Sequence, residues 1–448
     1  MNCAAIGSTP LLSSILSLHL TGQLAAEESG EDEDYRAIIC VFLSGGNDSF
    51  NMLTPVSGEA RASYEATRRE VALPASDYFP LSPILPDGQE IGLHRKMPEI
   101  HDLYGEGKAA FICNVGSLIE PTDIASVLAG SANLPRGLYS HSDQSAHWQS
   151  TTPEMRNPKS GWGGRLADLI DNLSENNRVS MNVSLAGKNI FQVGQSASEL
   201  TINSNGVSSL RGWGQASFLP RQNAVESLLD QEYASALERV FATSKKNALE
   251  LGNEFQEAFT GQESLQTVFD NTNKLSVQLS GVAKTIAARQ VLSKKRQTFF
   301  VKIGGWDHHG SLAEHPEMLG SLSKAIGEFQ LAMQELNVED KVTLFTASDF
   351  GRTLTPNSGG TDHAWGGNQF VVGGAVNAGI YGNYPNLAVG SSLDVGRARL
   401  LPTTSVDEYY ADLALWMGVS PSDISYVLPN LHRFHDVNLN GAPMGFMG

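Results

Sequence analysis

The sequence predicts an α/β fold in which helices cover both faces of a central, mostly parallel sheet. The first observation is that short β-branched or apolar runs alternate with helical stretches along most of the 448 residues, which is the pattern of repeated strand–helix units. The second is a composition with 41% hydrophobic and 18% charged residues, which lets a chain of this length bury a large core.

Six apolar runs are predicted to be core strands, because each combines β-branched or aromatic residues with polar or turn-forming neighbours. They cover residues 37–43, 109–114, 181–185, 298–303, 341–347 and 369–372. The clearest helix is predicted over residues 316–336, where apolar residues recur at intervals of three and four. A second helix begins with a capping box between Ser405 and Glu408 and ends at Gly418.

One α/β domain is predicted over residues 35–448, since no internal repeat divides the chain into an array. Within it, residues 221–295 are polar, poor in Gly and free of Pro. That composition indicates a helical insertion, or a cap over the sheet.

Residues 1–34 are predicted to be the remnant of a signal peptide followed by an acidic linker. An apolar stretch at residues 11–20 precedes small residues around Ala25, as in the apolar and cleavage regions of an export signal. No Lys or Arg precedes Arg36, so we interpret the start codon as one assigned too late; a plain N-terminal helix is the alternative. The mature protein is therefore expected to be periplasmic or secreted.

The charge balance argues against nucleic acid and anionic membranes as partners. Asp and Glu number 48 against 31 Lys and Arg, for a net charge of −17. The longest apolar run is too short to span a bilayer, so integral membrane association is not expected. Cys3, Cys40 and Cys113 lack CxxC spacing, so neither a disulfide scaffold nor a thiolate zinc site is predicted.

Four polar segments are predicted to hold the functional site, because ligands of open parallel sheets bind beyond the carboxyl ends of the strands. The segments are residues 44–51, 139–148, 304–310, and 348–352 together with 360–367. Each contains an Asp, and together they contain five of the 11 histidines: His141, His147, His308, His309 and His363. Imidazole and carboxylate without thiolate suit a divalent metal, for which Zn²⁺ is favoured and Mn²⁺, Fe²⁺ and Ca²⁺ are alternatives.

Asp307 and His309 form the strongest candidate ligand pair. Alternate residues on an extended segment face the same side, so His308 between them is expected to face the other. A metal there would polarise an oxyanion and lower the pKa of bound water, which indicates an ester hydrolase. The plainer alternative is that Asp307 caps the following turn and His309 is a packed residue.

Two other interpretations of the same segments have weaker support. A Ser49–His363–Asp349 triad could be assembled, but the serine has no GxSxG elbow to activate it. The Gly45-Gly46 turn could cradle a phosphate, but both GxGxxG and the P-loop lysine are missing.

Eight motifs in fixed order resemble the bacterial family known as domain of unknown function 1501. They are SGGNDSFN, LHRKMPEI, SHSDQSAHW, GGWDHHG, SDFGRT, GTDHAWGG, PTTSVDEYYADLALWMG and LPNL. The resemblance covers residues 37–434 and implies a twin-arginine export signal. It also implies an alkaline phosphatase-like fold, because the family is similar to the alkaline phosphatase and sulfatase superfamily.

That superfamily resemblance implies a metal site formed by Asp307, His309 and His363. A second site would take Asp349, which is followed by Phe350 where a histidine is usual. An acidic residue near the first strand end, here Asp48, and a nucleophile position, here Asp143, complete the resemblance. The candidate catalytic residues are therefore Asp48, Ser49, His141, Asp143 and Arg352, and the candidate metal ligands are Asp307, His309, Asp349, Asp362 and His363.

Two functions are carried forward from the sequence. The first is an exported, metal-dependent hydrolase of phosphate or sulfate esters, in which Arg352 pairs with the anionic group of a small substrate. The second is a catalytically silent, secreted binding protein that retains the fold, and Phe350 in the SDFG motif is the residue that favours it.

Overall fold

The computed structural model describes residues 34–171, 179–207 and 215–448. The segment predicted to be a signal-peptide remnant and acidic linker lies outside these residues, apart from Asp34. None of the helices in the described ranges has the length and apolarity needed to cross a bilayer.

Strands and helices alternate along the described chain. The strands are β1 (Arg36–Leu43), β2 (Leu53–Pro55), β3 (Tyr78–Pro80), β4 (Ile91–His94), β5 (Ala109–Gly116), β6 (Asn182–Ser184), β7 (Leu200–Asn203), β8 (Gly206–Val207), β9 (Arg296–Ile303), β10 (Val342–Ser348), β11 (Gly367–Gly373), β12 (Gly379–Tyr381) and β13 (Thr404–Ser405). The helices are α1 (Ser49–Met52), α2 (Gly58–Arg68), α3 (Pro98–Gly105), α4 (Ile124–Leu128), α5 (His141–Ser150), α6 (Trp162–Ile170), α7 (Leu219–Leu229), α8 (Ala236–Thr260), α9 (Lys274–Ala287), α10 (His315–Glu335), α11 (Val406–Trp416), α12 (Ile424–Val427) and α13 (Val437–Asn440).

The main sheet has ten strands within the described ranges, in the order β12-β5-β11-β10-β1-β9-β6-β7-β8 with β13 beside β5. Most neighbouring strands are parallel, whereas β11 is antiparallel to both β10 and β5, and β8 is antiparallel to β7. The predicted α/β class and mostly parallel sheet are confirmed. Strands β2, β4 and β3 form a separate small antiparallel sheet.

Strand β1 lies at the centre of the sheet, between β9 and β10, and both of its faces are buried. Ile39 and Val41 contribute to one hydrophobic cluster, with the apolar faces of α9 and α10. Ile38 and Phe42 contribute to a second cluster, with α6 and α11. Helices therefore cover both faces of the sheet, which explains why β1 is a continuous apolar run rather than an alternating one.

The three central strands end at one level. In the register of the sheet, Leu43 pairs with Ser348 of β10 and with Ile303 of β9. The polar segments that follow β1, β9 and β10 therefore begin side by side at the carboxyl edge, where α/β proteins bind their ligands.

The predicted elements agree closely with the observed ones. All six core strands are present, and the long predicted helix is α10, whose Leu319, Ile326 and Phe329 are fully buried. The capping box of α11 is formed, with Ser405 and Glu408 each bonding the other's backbone N–H. The antiparallel direction of β11 was not predicted, because hydrophobic pattern carries no information on strand direction.

The helical character predicted for residues 221–295 is present as α7, α8 and α9. Helices α7 and α8 pack on each other, and α8 contacts β8 at the sheet edge. Helix α9 differs from the predicted cap, since it packs against β9 and α10 and buries Leu279, Val282 and Ile286. It is therefore part of the helical layer on one face of the sheet.

Candidate metal centre

The carboxyl edge of the sheet gathers side chains from four elements. Asp307 follows β9 and Asp349 follows β10, as the strand-end prediction requires. His363 precedes β11, and because β11 runs antiparallel to β10, its amino end lies at this same edge. His141 is the first residue of α5.

Three imidazole Nε2 atoms converge on the carboxylate of Asp307. The Nε2 atoms of His309 and His363 lie 2.9 Å apart, and they lie 3.0 and 3.4 Å from Asp307 Oδ1. The Nε2 atom of His141 lies 3.4 Å from Asp307 Oδ2. Ligand atoms around tetrahedral zinc are separated by about 3.3 Å, given bonds of about 2.0–2.1 Å, so the donor set fits a metal ion.

The opposite ring nitrogens of these histidines face acceptors outside the centre. His141 Nδ1 donates to Asp349 Oδ2 at 2.6 Å, and His363 Nδ1 donates to the carbonyl oxygen of Tyr139 at 2.8 Å. His309 Nδ1 lies 3.7 Å from Asp362 Oδ1. Metal-binding histidines donate their second ring N–H in the way that His141 and His363 do, which fixes the tautomer and leaves the lone pair of Nε2 facing the centre.

Arg352 is buried and its guanidinium holds Asp307 in place. It donates to Asp307 Oδ1 at 2.7 Å, to the carbonyl oxygen of Gly45 at 3.3 Å, and to the carbonyl oxygen of Thr361. Burial opposes the charge of Asp307, but the hydrogen bond and charge of Arg352 outweigh it and lower the pKa of the carboxyl. The structure thus corrects the predicted substrate contact of Arg352, because its donors already face protein acceptors.

Asp349 lies behind His141 rather than among the converging atoms. Its Oδ2 accepts the Nδ1–H of His141 and the backbone N–H of Gly45 at 3.1 Å, while its buried Oδ1 has no partner. Asp349, which was predicted as a metal ligand, hydrogen-bonds the imidazole of His141, and its role as a ligand stays a prediction. The sequence could not separate these roles, since both require a carboxylate just after β10.

Phe350 forms an apolar wall of the centre. Its ring centroid lies 4.5 Å from that of His363 and 4.8 Å from that of His141. A Cβ atom at Gly46, which has a φ of +87°, would lie 2.6 Å from Phe350 Cε2, so only glycine leaves room for this ring. The position where the resemblance leads one to expect a second-site histidine is therefore a packed aromatic residue.

Asp48 and Ser49 are buried beneath the centre, which corrects their prediction as catalytic residues. Asp48 Oδ2 accepts hydrogen bonds from Arg68 at 2.7 Å and from Thr361 Oγ1 at 2.9 Å. Ser49 Oγ accepts the backbone N–H of Asn368 at 2.7 Å, and the residue is only 1% exposed. The segment between β1 and α1 is buried, so Asp48 and Ser49 hydrogen-bond Thr361 and Asn368 in the interior.

Asp143 lies on a different side of α5 from His141. Two residues along a helix correspond to a rotation of about 200°, and the Asp143 carboxylate faces Gly137, where a Cβ would lie 2.3 Å from its Oδ2. The predicted nucleophile position is therefore turned away from the converging imidazoles.

His308 and His147 also lie outside the centre. His308 is buried with its ring centroid 5.8 Å from that of His315, consistent with the expectation that it faces away from its two neighbours. His147 Nε2 bonds the carbonyl oxygen of Met155. Burial lowers the pKa of both imidazoles.

Asp362 connects the centre to two arginines that the sequence analysis missed. Its Oδ1 accepts the backbone N–H of His363 at 2.8 Å, and its Oδ2 lies 3.0 Å from Arg397 and 3.6 Å from Arg399. Arg399 Nε also donates to the carbonyl oxygen of His363 at 2.8 Å. Asp362 was predicted as a metal ligand, and its carboxylate lies with the imidazoles of His309 and His363 in a group that could hold a metal ion. The missed arginines follow no predicted strand, so the strand-end rule could not find them.

A cavity of about 880 Å³ lies away from this edge, between α7, α8 and β8. It is lined mainly by apolar residues, including Leu228, Leu237 and Phe241. None of the predicted site residues lines it.

Several solved structures are distantly similar to the chain. The lipoteichoic acid synthase LtaP from Listeria monocytogenes is 9% identical, with 78% of this chain and 68% of that chain covered and a TM-score of 0.32. The PsFucS1 sulfatase from Pseudoalteromonas sp. is 10% identical, with 92% and 72% covered and a TM-score of 0.33. The phosphonate monoester hydrolase SpPMH from Silicibacter pomeroyi is 9% identical, with 86% and 73% covered and a TM-score of 0.31.

No curated protein matches the chain. The family described as "Protein of unknown function (DUF1501)" matches residues 35–428, which include every residue of the centre. The resemblance seen in the ordered motifs is confirmed, and the chain belongs to this family.

Proposed function

We propose that the protein is an exported, metal-dependent hydrolase of phosphate or sulfate esters. The observation that carries the proposal is the convergence of three imidazole Nε2 atoms on Asp307, while the Nδ1 atoms of the same rings face outer acceptors. An unliganded cluster has no need of this common orientation, whereas a metal site requires it.

Asp307, His309 and His363 would hold the metal. Three protein ligands leave one position of a tetrahedral shell open, as catalytic zinc sites require. A metal bound there supplies a Lewis acid that lowers the pKa of bound water and polarises the ester oxygen. Arg352 keeps Asp307 ionised and oriented, because it lowers the pKa of that carboxyl and donates to its Oδ1.

His141 and Asp349 form a proton-transfer pair in this proposal. The Nε2 of His141 faces the centre, and Asp349 holds the proton on Nδ1 through the 2.6 Å hydrogen bond. Nε2 is therefore free to accept a proton from the attacking oxygen and to return it to the leaving-group oxygen. Asp349 acts through His141 as a positioning residue, as the aspartate does in serine hydrolase triads.

The second candidate function is a secreted binding protein that retains the centre without catalysis. Two observations favour it: Phe350 packs over His141 and His363, and Ser49, the serine predicted at the site, is buried against Asn368. In this case the centre would hold a metal and a ligand but would not turn the ligand over.

One experiment separates these two functions. The metal content of the purified protein is measured, and the same sample is assayed with a panel of aryl phosphates and aryl sulfates. Bound metal with turnover that a chelator abolishes supports the hydrolase. Bound metal without turnover supports the binding protein. If the protein contains no metal after incubation with Zn²⁺, Mn²⁺ and Ca²⁺, both candidate functions are contradicted.

Export is the part of the proposal that rests on residues 1–34. The apolar stretch at residues 11–20 and the small residues after it resemble a cleavable signal. Expression of the protein from its native gene, followed by fractionation of the cells, tests this directly. A protein that stays entirely in the cytoplasmic fraction contradicts export and leaves the proposed chemistry untouched.

A further inference from the structure

Arg397 and Arg399 form a pair of guanidinium groups at the rim of the metal centre. Both lie close to the same atom, Asp362 Oδ2, at 3.0 and 3.6 Å. The Arg399 guanidinium lies 4.4 Å over the ring of Tyr139 and is 18% exposed, whereas the Arg397 side chain is 64% exposed. The pair is thus anchored at Arg399 and open to solvent at Arg397.

The backbone that presents these arginines is held in an unusual conformation. Gly396, Arg397 and Ala398 have φ values of +103°, +60° and +52°, and the left-handed region is unfavourable for the two residues that carry side chains. The carbonyl oxygen of Ala398 accepts the N–H of Leu354, and that of Arg397 accepts Thr355 Oγ1. The surrounding loop therefore compensates for a turn that places both arginines beside Asp362.

The guanidinium groups at this rim outnumber the carboxylate that they contact. The net charge of the chain is −17, but here two guanidinium groups share a single carboxylate oxygen. The other oxygen of Asp362 accepts the N–H of His363. An arginine with unused donors binds carboxylate, phosphate or sulfate in a fork geometry, whereas Arg352 has its donors committed to Asp307, Thr361 and Gly45.

We propose that Arg397 and Arg399 form an anion subsite that takes a second anionic group of the substrate, distinct from the ester group at the histidines. The inference rests on the proposed function for the identity of the ester. It narrows the substrate class to phosphate or sulfate esters that carry an additional carboxylate, phosphate or sulfate. Asp362 keeps the two guanidinium groups close together and connects the subsite to His309.

The test of the subsite uses inorganic sulfate as the probe and chelator-treated protein. Sulfate is titrated into the full chain, and the dissociation constant is measured by calorimetry. If the subsite exists, sulfate binding is saturable and persists after chelation. In Arg397→Gln the affinity for sulfate should fall about tenfold, because one charge-assisted contact is lost. The sulfate affinity of Arg397→Lys should lie between those of the wild type and Arg397→Gln. Equal affinity in wild type and Arg397→Gln, or loss of binding on chelation, overturns the proposal.

Arg95→Gln is the matched control for the change in net charge. Arg95 is also exposed and also lies over an aromatic ring, at 4.7 Å from Phe79, but it is not part of the centre. Its sulfate affinity should equal that of the wild type. A weakening as large as that of Arg397→Gln would show that overall charge, and not the rim pair, binds the anion, and would overturn the proposal.

Kinetics separate the subsite from the hydrolase itself. Phenyl phosphate and 4-carboxyphenyl phosphate are compared, and the wild type should have a lower KM for the carboxylated ester by about tenfold. Arg397→Gln should narrow that ratio towards one. If the wild type hydrolyses both esters with equal KM, the proposed subsite is wrong and the proposed hydrolase function still stands. If the protein hydrolyses neither ester but its chelated form still binds sulfate through Arg397, the proposed hydrolase function is wrong and the subsite is supported.

Discussion

His309 and His363 are 54 positions apart in the chain, yet their Nε2 atoms lie 2.9 Å apart. Two imidazoles at this distance either share a proton or share a cation. The carboxylate of Asp307 lies within 3.4 Å of both nitrogens, and the Nδ1–H of His363 is already donated to a carbonyl oxygen. Burial lowers the pKa of His363, which favours the neutral ring, and a neutral ring whose Nδ1–H is donated carries its lone pair on Nε2, which is the form that binds a metal.

The first prediction concerns metal content. His309→Ala, His363→Ala and Asp307→Asn should each lower zinc affinity by about 100-fold or more, because two remaining ligands cannot fill the shell. Zinc per protein molecule, measured by elemental analysis after dialysis, is the readout. His308→Ala is the control, since its ring packs towards His315, and it should retain zinc even though it loses a packed side chain.

The second prediction concerns thermal stability and chelation. A metal that binds only the folded protein stabilises it by about 4 kcal/mol when the free metal exceeds Kd by about 1,000-fold. Chelator should therefore lower the melting midpoint of the wild type and leave that of His363→Ala unchanged. Equal shifts in both proteins, or no shift in either, would mean that these histidines hold no metal.

The third prediction separates Asp349 from the metal ligands. Asp349→Asn should leave zinc content unchanged but lower kcat by roughly 100-fold, because an amide no longer fixes the proton on His141 Nδ1. Loss of zinc in this variant would instead identify Asp349 as a ligand. His141→Gln gives the parallel result for the ring itself, and its loss of zinc would make His141 a fourth ligand.

The fourth prediction concerns the buried ion pair beneath the centre. Arg68 and Asp48 lie 2.7 Å apart, and their side chains are 0% and 1% exposed. Arg68→Met should lower the free energy of unfolding by about 3–5 kcal/mol, because it leaves a buried carboxylate without its countercharge. Denaturant unfolding measures this. Lys96→Met breaks an exposed pair with Glu317 and should cost less than about 1 kcal/mol.

The same pair sets a dependence of stability on pH. Burial opposes the charge of Asp48, but Arg68 outweighs it and lowers the pKa of the carboxyl below its ordinary value of 3.8. The stabilisation is therefore complete above that value and is lost as the pH falls through the lower pKa of the folded state. Unfolding free energies measured from pH 7 downwards should decrease more steeply below about pH 4 in wild type than in an Asp48→Asn variant.

The sequence by itself determined the fold class and the neighbourhood of the centre. Apolar runs set the strands β1, β9 and β10, because burial on both faces demands continuous hydrophobic residues. Polar residues directly after such strands lie at the carboxyl edge, so the order of residues alone assigns Asp307 and Asp349 to one site. The helix α10 and the capping box at Ser405 could also be predicted, because helical periodicity and capping depend on residues close together in the sequence.

Only the tertiary structure decided which of the predicted residues act and how. Asp48 and Asp349 both follow strands, but the first turns inward to Arg68 and the second turns towards His141. The direction of a side chain in a loop depends on contacts with residues that are distant in the chain, 20 positions away for Arg68 and 208 for His141, and strand-end patterns do not contain these contacts. The position of His363 likewise depends on β11 running antiparallel, and the positions of Arg397 and Arg399 depend on a left-handed turn stabilised by neighbouring loops. These are long-range properties, decided by packing rather than by local sequence.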